Sequence, residues 1–289
     1  MYKKDLAKTI QIFLPGGDPT GIRIAELTTR IIQAIEVPRT LLQDFRVSKE
    51  SERVGVYVLM GASEEGGLSI YIGQSGEIGK RLDQHNAKLD FWQRALIFIS
   101  KTNNLTQTHA LFLEWLCIQE AKNVGRCATI NGNDGSKPYT PPPLEAECLE
   151  MLETTRILTA ALGHRIFEPL VSQESEHQEL FFCPRAGNAA LGEYTSEGFV
   201  VLKGAKGKGT PTASFTSHHY FNLRQSLIDQ GKAAIDDGFL VFKENVLFES
   251  PSAAAAVVCG SAANGWTEWK NKDGVTLGTL KRGPSLESS

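Results

Sequence analysis

Apolar positions near the start of the chain fall into two patterns. Thr9–Leu14 reads as a strand, a turn follows through Pro15, Gly16, Gly17, Asp18 and Pro19, and Ile24, Leu27, Ile31 and Ile35 then recur at helical spacing. This predicts a helix from Gly21 to about Ile35, ended by Pro38. Val54–Met60 and Ser69–Gly73 are short β patterns separated by a polar loop containing Glu64–Gly67, the signature of a hairpin. Ser75 can cap a helix from about Glu77 to Lys88, Ala95–Ile99 supplies a third strand, and a long helix follows from about Thr106 to Val124. The order is β-β-α-β-α.

Prolines between Lys137 and Pro143 break the chain, and a helix with an acidic outer face follows over roughly Leu144–Leu162. After the polar connector Ser172–Gln178, short strands and glycine turns take over, with a helix at about Phe221–Gln230. The expected organisation is a small basic β-α lobe over 1–48, a β-β-α-β-α domain over 49–135, a helical linker over 136–178, a separate α+β domain over 179–282 and a mobile tail over 283–289.

Composition narrows the class. Hydrophobic residues at 41% and charged residues at 22% are ordinary for a globular protein and exclude collagen-like or wholly disordered readings. No run approaches the roughly 18 apolar residues of a membrane span, and no signal-like apolar region follows Met1, so a soluble cytoplasmic protein is expected. The 5 cysteines form no C-x-x-C pair, which argues for reduced thiols over a zinc ribbon or a disulfide framework. Net charge is −3 overall, but it is +3 over 1–49, −2 over 50–135, −4 over 136–178 and 0 over 179–289. Any polyanion site must therefore be local. In the basic segment, Arg23, Arg30, Arg39 and Arg46 could meet phosphates or serve only as a solvated helix face.

Candidate chemistry concentrates between Gly55 and Asn131. Tyr57 and Tyr71 each sit between β-branched residues, so paired strands can present both phenols on one face. Arg81 and His85, four apart, share a helix side suited to phosphate binding and proton transfer. Glu114 lies within Leu111–Leu116, with Ala110, Leu111, Cys117 and Ile118 as its helical neighbours. A carboxylate on such a stripe needs a cation, hydrogen bonds or protonation, and either a divalent metal or a salt bridge to Arg81 would serve.

Gly55-Val56-Tyr57, then Tyr71-Ile72-Gly73 with Gln74 and Ser75, then Arg81, His85 and Glu114, together resemble the GIY-YIG nuclease superfamily over about residues 52–135, with Val56 where the motif has isoleucine. The tail, from Ser250–Ala255 through Asn264–Lys270 to Asp273–Leu277, is similar to the domain of unknown function DUF4357. The first resemblance implies an α+β nuclease fold, a small antiparallel three-stranded sheet flanked by helices. It also implies hydrolysis of phosphodiester bonds in DNA with one Mg2+ or Mn2+ ion per active site. Carried over by motif, Glu114 would hold the metal, Tyr57 would serve the attacking water with help from His85 or a metal-activated water, and Arg81 and Tyr71 would stabilise the phosphate. Asn131 matches an asparagine that orients active-site or phosphate groups, and Lys80 and His109 are possible helpers.

Two other readings stay open: a nucleic-acid-binding or regulatory protein that keeps the nuclease fold with little cleavage, and a partner-dependent module in a larger complex. The C-terminal domain could carry a homo-oligomer contact or a partner protein. Its Gly204–Gly209 run reads as a flexible basic loop without P-loop context, His218 and His219 as exposed neighbours on a strand, and Trp266 and Trp269 as packing residues that could also stack on bases.

Overall fold

The computed structural model describes residues 7–62, 67–132, 136–171, 179–187 and 190–283. Most of the expected hairpin loop, the whole Ser172–Gln178 connector and the tail beyond 283 lie outside them. The chain forms two compact α+β units, Met1–Pro169 and Leu170–Ser289.

The first unit is built on strands β1 (Ile10–Phe13), β2 (Arg23–Leu27), β3 (Ile32–Pro38), β4 (Gly55–Ala62), β5 (Leu68–Ser75), β6 (Arg94–Ser100) and β7 (Ala128–Thr129), in the order β1-β2-β3-β6-β4-β5-β7. All neighbours are antiparallel except β5 and β7, which run parallel. Helices α1 (Leu42–Arg46) and α2 (Ile78–Lys88) cover one face, and α3 (Gln107–Val124) and α4 (Pro142–Ala161) the other. Alternation decides which residue meets which layer. Val56, Val58, Ile70, Ile72 and Phe98 face α3 and α4, whereas Tyr57, Leu59, Ile97 and Ile99 face α1 and α2.

Four expectations are corrected here. The helix at 21–35 is instead the β2-β3 hairpin. Its isoleucines satisfy helical spacing by coincidence, because the strands are apolar on both sides: Ala25, Leu27, Ile32 and Ala34 pack on one face of the sheet, and Ile22, Ile24, Ile35 and Val37 on the other. Residues 1–48 are accordingly no separate β-α lobe, since β1 to β3 continue the sheet of β4 to β7. The expected three-stranded sheet of 49–135 is likewise part of seven strands, and the "linker" helix α4 packs on β2, β3 and α3.

The second unit holds a four-stranded antiparallel sheet of β8 (Leu180–Phe182), β9 (Leu191–Thr195), β10 (Gly198–Val201) and β14 (Val246–Phe248), ordered β14-β10-β9-β8. A three-stranded antiparallel sheet orders β11 (Lys206–Lys208), β13 (Phe239–Phe242) and β12 (Ala233–Asp236) as β11-β13-β12. The alanine-rich α6 (Pro251–Cys259) is apolar all round and buried, as such a helix must be. Around it lie α5 (His219–Asp229), α7 (Gly265–Glu268) and α8 (Leu277–Arg282). Trp269 is fully buried, stacks on Phe199 at 4.2 Å and donates its indole N–H to the Pro251 carbonyl at 3.0 Å, while Trp266 lies against Tyr194 and the Arg282 guanidinium. Two further expectations fail: Gly204–Gly209 contains strand β11, and His218 and His219 stand at the start of α5 with their rings 4.4 Å apart.

Candidate functional site

The β4-β5 hairpin aligns Tyr57 with Gly73 and Leu59 with Tyr71, so the two phenols occupy diagonal positions on one face, 6.4 Å apart between ring centres. A Cβ on Gly73 would run into the Tyr57 hydroxyl and ring, so only glycine lets the phenol lie across β5. α2 then crosses above. Ile78 and Leu82 anchor it to the apolar layer, and the same turns deliver Arg81 and His85 to the phenols.

The Tyr57 hydroxyl lies 2.7 Å from His85 Nε2 and accepts a 3.3 Å hydrogen bond from Arg81 Nε. His85 also packs on Tyr71, at 5.0 Å between ring centres. Burial pushes the Tyr57 phenol well above its ordinary value, although Arg81 pulls the other way. Burial and the positive charges of Arg81 and Lys88 push His85 down to about 4. Both groups are therefore neutral at pH 7. Arg81 can only donate, and with the His85 ring proton on Nδ1 the phenol would donate its own proton to His85 Nε2.

Glu114 approaches from α3 on the opposite face of the sheet and reaches the exposed edge of β5. Successive outward-facing backbone groups of β5 are satisfied there by three different devices. The Ile70 carbonyl accepts from Ile130 N–H at 2.9 Å, just past β7. Both backbone groups of Ile72 bond to the Asn131 amide, at 3.0 Å for its N–H and 2.6 Å for its carbonyl. The Gln74 N–H goes to the Glu114 carboxylate. Burial raises Glu114 above the usual carboxylate range, and the Gln74 bond and the Arg81 charge only partly oppose this.

Among the described residues Glu114 forms no ion pair, so the salt bridge with Arg81 does not form. Its half-buried carboxylate keeps acceptor capacity beyond Gln74. No group of three or more His, Cys, Asp or Glu converges among the described residues. A hard divalent cation fits such a position, because magnesium accepts one carboxylate with water and phosphate oxygens as its other ligands.

The other candidates are engaged elsewhere. Lys80 pairs with Glu77 at 2.6 Å, and His109 closes a capping box with Thr106 at the start of α3 while its Nε2 meets Glu147 at 3.1 Å. The basic N-terminal residues do not form a solvated helix face. Arg23 binds Glu36, Arg30 binds Glu150, Arg46 binds Asp83 at 2.8 Å, and Arg39 bonds to Asn86 and stacks on Trp92. Sequence reasoning quoted Gln74 only as part of a motif and missed its side-chain hydrogen bond with Gln107, and it missed Gln84, which accepts from Arg81 at 2.9 Å. It also missed Glu36, a charge between Ile35 and Val37 that alternation alone could have flagged.

Among the described residues no helix is long and apolar enough to cross a membrane. No curated protein and no solved structure matches the chain. Residues 181–281 match the family described as "Domain of unknown function (DUF4357)", so the second unit contains a DUF4357 domain.

Proposed function

We propose that the first unit is a metal-dependent GIY-YIG type endonuclease acting on DNA. The observation that carries this reading is the Tyr57 hydroxyl held between His85 Nε2 and Arg81 Nε, with the Glu114 carboxylate at Gln74, the residue next to Tyr57's cross-strand partner Gly73. Tyr57 takes a proton from the attacking water as its own passes to His85, whose neutral ring at pH 7 is ready to receive it. Arg81, with its guanidinium beyond Nε still able to donate, binds the phosphate and stabilises its growing negative charge. Tyr71 lines the same face and keeps the His85 ring in place through their contact. Asn131 supports the reaction by fixing β5, since both ends of its amide are spent on Ile72. A magnesium or manganese ion held by Glu114 would supply Lewis-acid stabilisation of the phosphate and the leaving oxygen.

One observation favours a partner-assisted form of this reading. Arg46, Arg53 and Lys80 are each paired with a carboxylate, which leaves little positive field to draw a polyanion to Arg81. The test is cleavage of supercoiled plasmid, linear duplex, branched DNA and single strands with magnesium or manganese, comparing the full chain with Glu114→Gln, which keeps an acceptor for Gln74 but removes the charge. Cutting that vanishes in the variant supports the nuclease. Equal cutting by both proteins removes Glu114 from the reaction, and no cutting by folded wild type moves the reading to a binding or partner-dependent protein.

A further inference from the structure

In the second unit, β11 forms one edge of the three-stranded sheet and carries Lys206 and Lys208 on its outer face, both exposed and neither in an ion pair among the described residues. Between them Gly207 is buried, and a Cβ there would come within 2.5 Å of the Val258 carbonyl at the end of α6. The close approach of strand to helix thus turns both lysines outward. Lys208 stands directly opposite Phe239 on β13, a ring left 42% exposed, and the Lys206 ammonium lies 5.6 Å from the centre of the same ring. Behind the strand, Arg224 is buried without an acidic partner among the described residues. Its guanidinium is spent on the carbonyls of Lys208, Gly209 and Val257.

Buried cations are ordinarily matched by a carboxylate. Here two exposed ammonium groups line one strand edge with a buried guanidinium behind it, and none of the three has an acidic partner among the described residues. The acidic groups of this sheet lie on the far side of Phe239 from β11: Asp236, its cross-strand partner on β12, pairs with Lys243 at 3.7 Å, and Asp237 occupies the β12-β13 turn. Lys203, exposed just before β11, extends the basic edge.

We infer that this edge is a docking face for a single-stranded segment of nucleic acid, with its phosphates on Lys206 and Lys208 and an unstacked base on Phe239. Two residues along a strand span roughly 6.7 Å, close to the interval between successive phosphates of an extended nucleotide strand. An exposed aromatic ring beside a row of cations is the arrangement that binds such strands without reading sequence. An acidic peptide could satisfy the lysines but would leave the ring without a planar partner. The inference does not depend on the nuclease reading.

The experiment is fluorescence anisotropy of labelled oligothymidylate with the full chain in EDTA, which prevents metal-dependent cleavage, across a salt series. Lys206→Ala/Lys208→Ala is expected to weaken binding about tenfold or more and to lower the slope of log affinity against log salt by about 1.4, the share of two phosphate contacts on a single strand. Phe239→Ala is expected to weaken binding about tenfold with the slope unchanged. Lys206→Arg/Lys208→Arg, which tests that the surface survives substitution, should bind as wild type. The lysine effect should persist in an Arg81→Ala background, which separates this face from the first unit. Absence of binding, unchanged affinity in both alanine variants, displacement by polyglutamate at matched charge, or equal affinity for duplex with no Phe239 effect would each overturn the inference.

Discussion

The side-chain amide of Asn131 pairs with both backbone groups of Ile72, so one residue does for the edge of β5 what another strand would do. The adjoining device is Glu114 on Gln74, and between them sits Gly73, over which Tyr57 lies. Asn131→Ala is expected to free the Ile72 amide to exchange much faster with solvent and to lower stability by about 1–2 kcal/mol, the net worth of two such bonds. Amide exchange of Ile72 by NMR checks this. Unchanged protection would mean that water or the neighbouring chain replaces the side chain without loss.

Tyr57→Phe removes the hydroxyl that His85 and Arg81 share while keeping the ring packed among Ile97, Leu59 and Ile78. Single-turnover cleavage should slow by about 100-fold or more, the usual scale of a lost proton-transfer group, with the thermal midpoint within a few degrees of wild type. A variant that cuts at the wild-type rate would remove the phenol from the proton path.

His85 fixes a direction for pH. Its folded value of about 4 lies below the ordinary 6.5, so the unfolded chain binds more protons between those limits. The neutral ring's contribution to stability is complete above about pH 6.5 and is lost as the pH falls toward about 4. Arg81 and Lys88 on its own helix, and Tyr57 and Tyr71 from the hairpin, are the ionisable groups that face it. Glu114 acts in the opposite sense, because its raised value favours the folded state on acidification. The measurement is therefore the difference between wild type and His85→Asn in urea unfolding from pH 7 to pH 4. Their gap should shift in favour of the variant as the pH drops, and a constant gap would contradict the depressed value.

Gly73→Ala tests how tightly the hairpin cradles Tyr57. The new methyl group would occupy the place of the hydroxyl, and forcing an atom into a packed site costs about 1–3 kcal/mol. The phenol must rotate away, so cleavage should fall as far as in Tyr57→Phe but with a lowered unfolding midpoint. Full stability and full activity together would mean that the hairpin yields easily.

The stretch from β4 to α3 was legible because its elements bury one pattern at a time. Hairpin strands with a polar loop between them, and a helix whose Ile78 and Leu82 face inward, leave clear periods. Four-residue spacing put Arg81 and His85 on one side of their helix, and alternation allowed Tyr57 and Tyr71 a common face, but only the GIY-YIG resemblance implied that the two sets meet. The β2-β3 hairpin was misread because strands buried on both faces have no polar phase, and its branched side chains imitate a helical stripe. The Gln74 N–H that holds Glu114 has no side-chain signature, because strand-edge backbone groups are invisible to residue type. The partners of Glu36 are scattered at 23, 94 and 164, a coincidence only the sheet order creates.

That cluster gives the last prediction. Glu36 is fully buried on β3, where it accepts from Arg23 Nε at 2.6 Å, Arg94 at 3.0 Å and His164 at 3.1 Å. Burial alone would raise its carboxyl, but the His164 hydrogen bond and charge, followed by Arg23, outweigh burial and hold it below the ordinary range. It therefore stabilises the fold above its unfolded value of about 4.5, and the contribution is lost as acid protonates it. Removing the carboxylate leaves Arg23, Arg94 and His164, all of them part-exposed, without their shared acceptor, and losing charged hydrogen bonds of this kind costs about 1.5–3 kcal/mol. Glu36→Ala should lose that much in urea unfolding at pH 7. On the nuclease proposal, cleavage at physiological temperature should fall as well without the site being touched, because β6, which carries Arg94, is the strand on which β4 and Tyr57 are registered. Recovery of cleavage at low temperature would confirm that the loss is one of folding, whereas an unchanged unfolding midpoint would mean that the backbone ladder of β2, β3 and β6 carries this part of the sheet without the ion cluster.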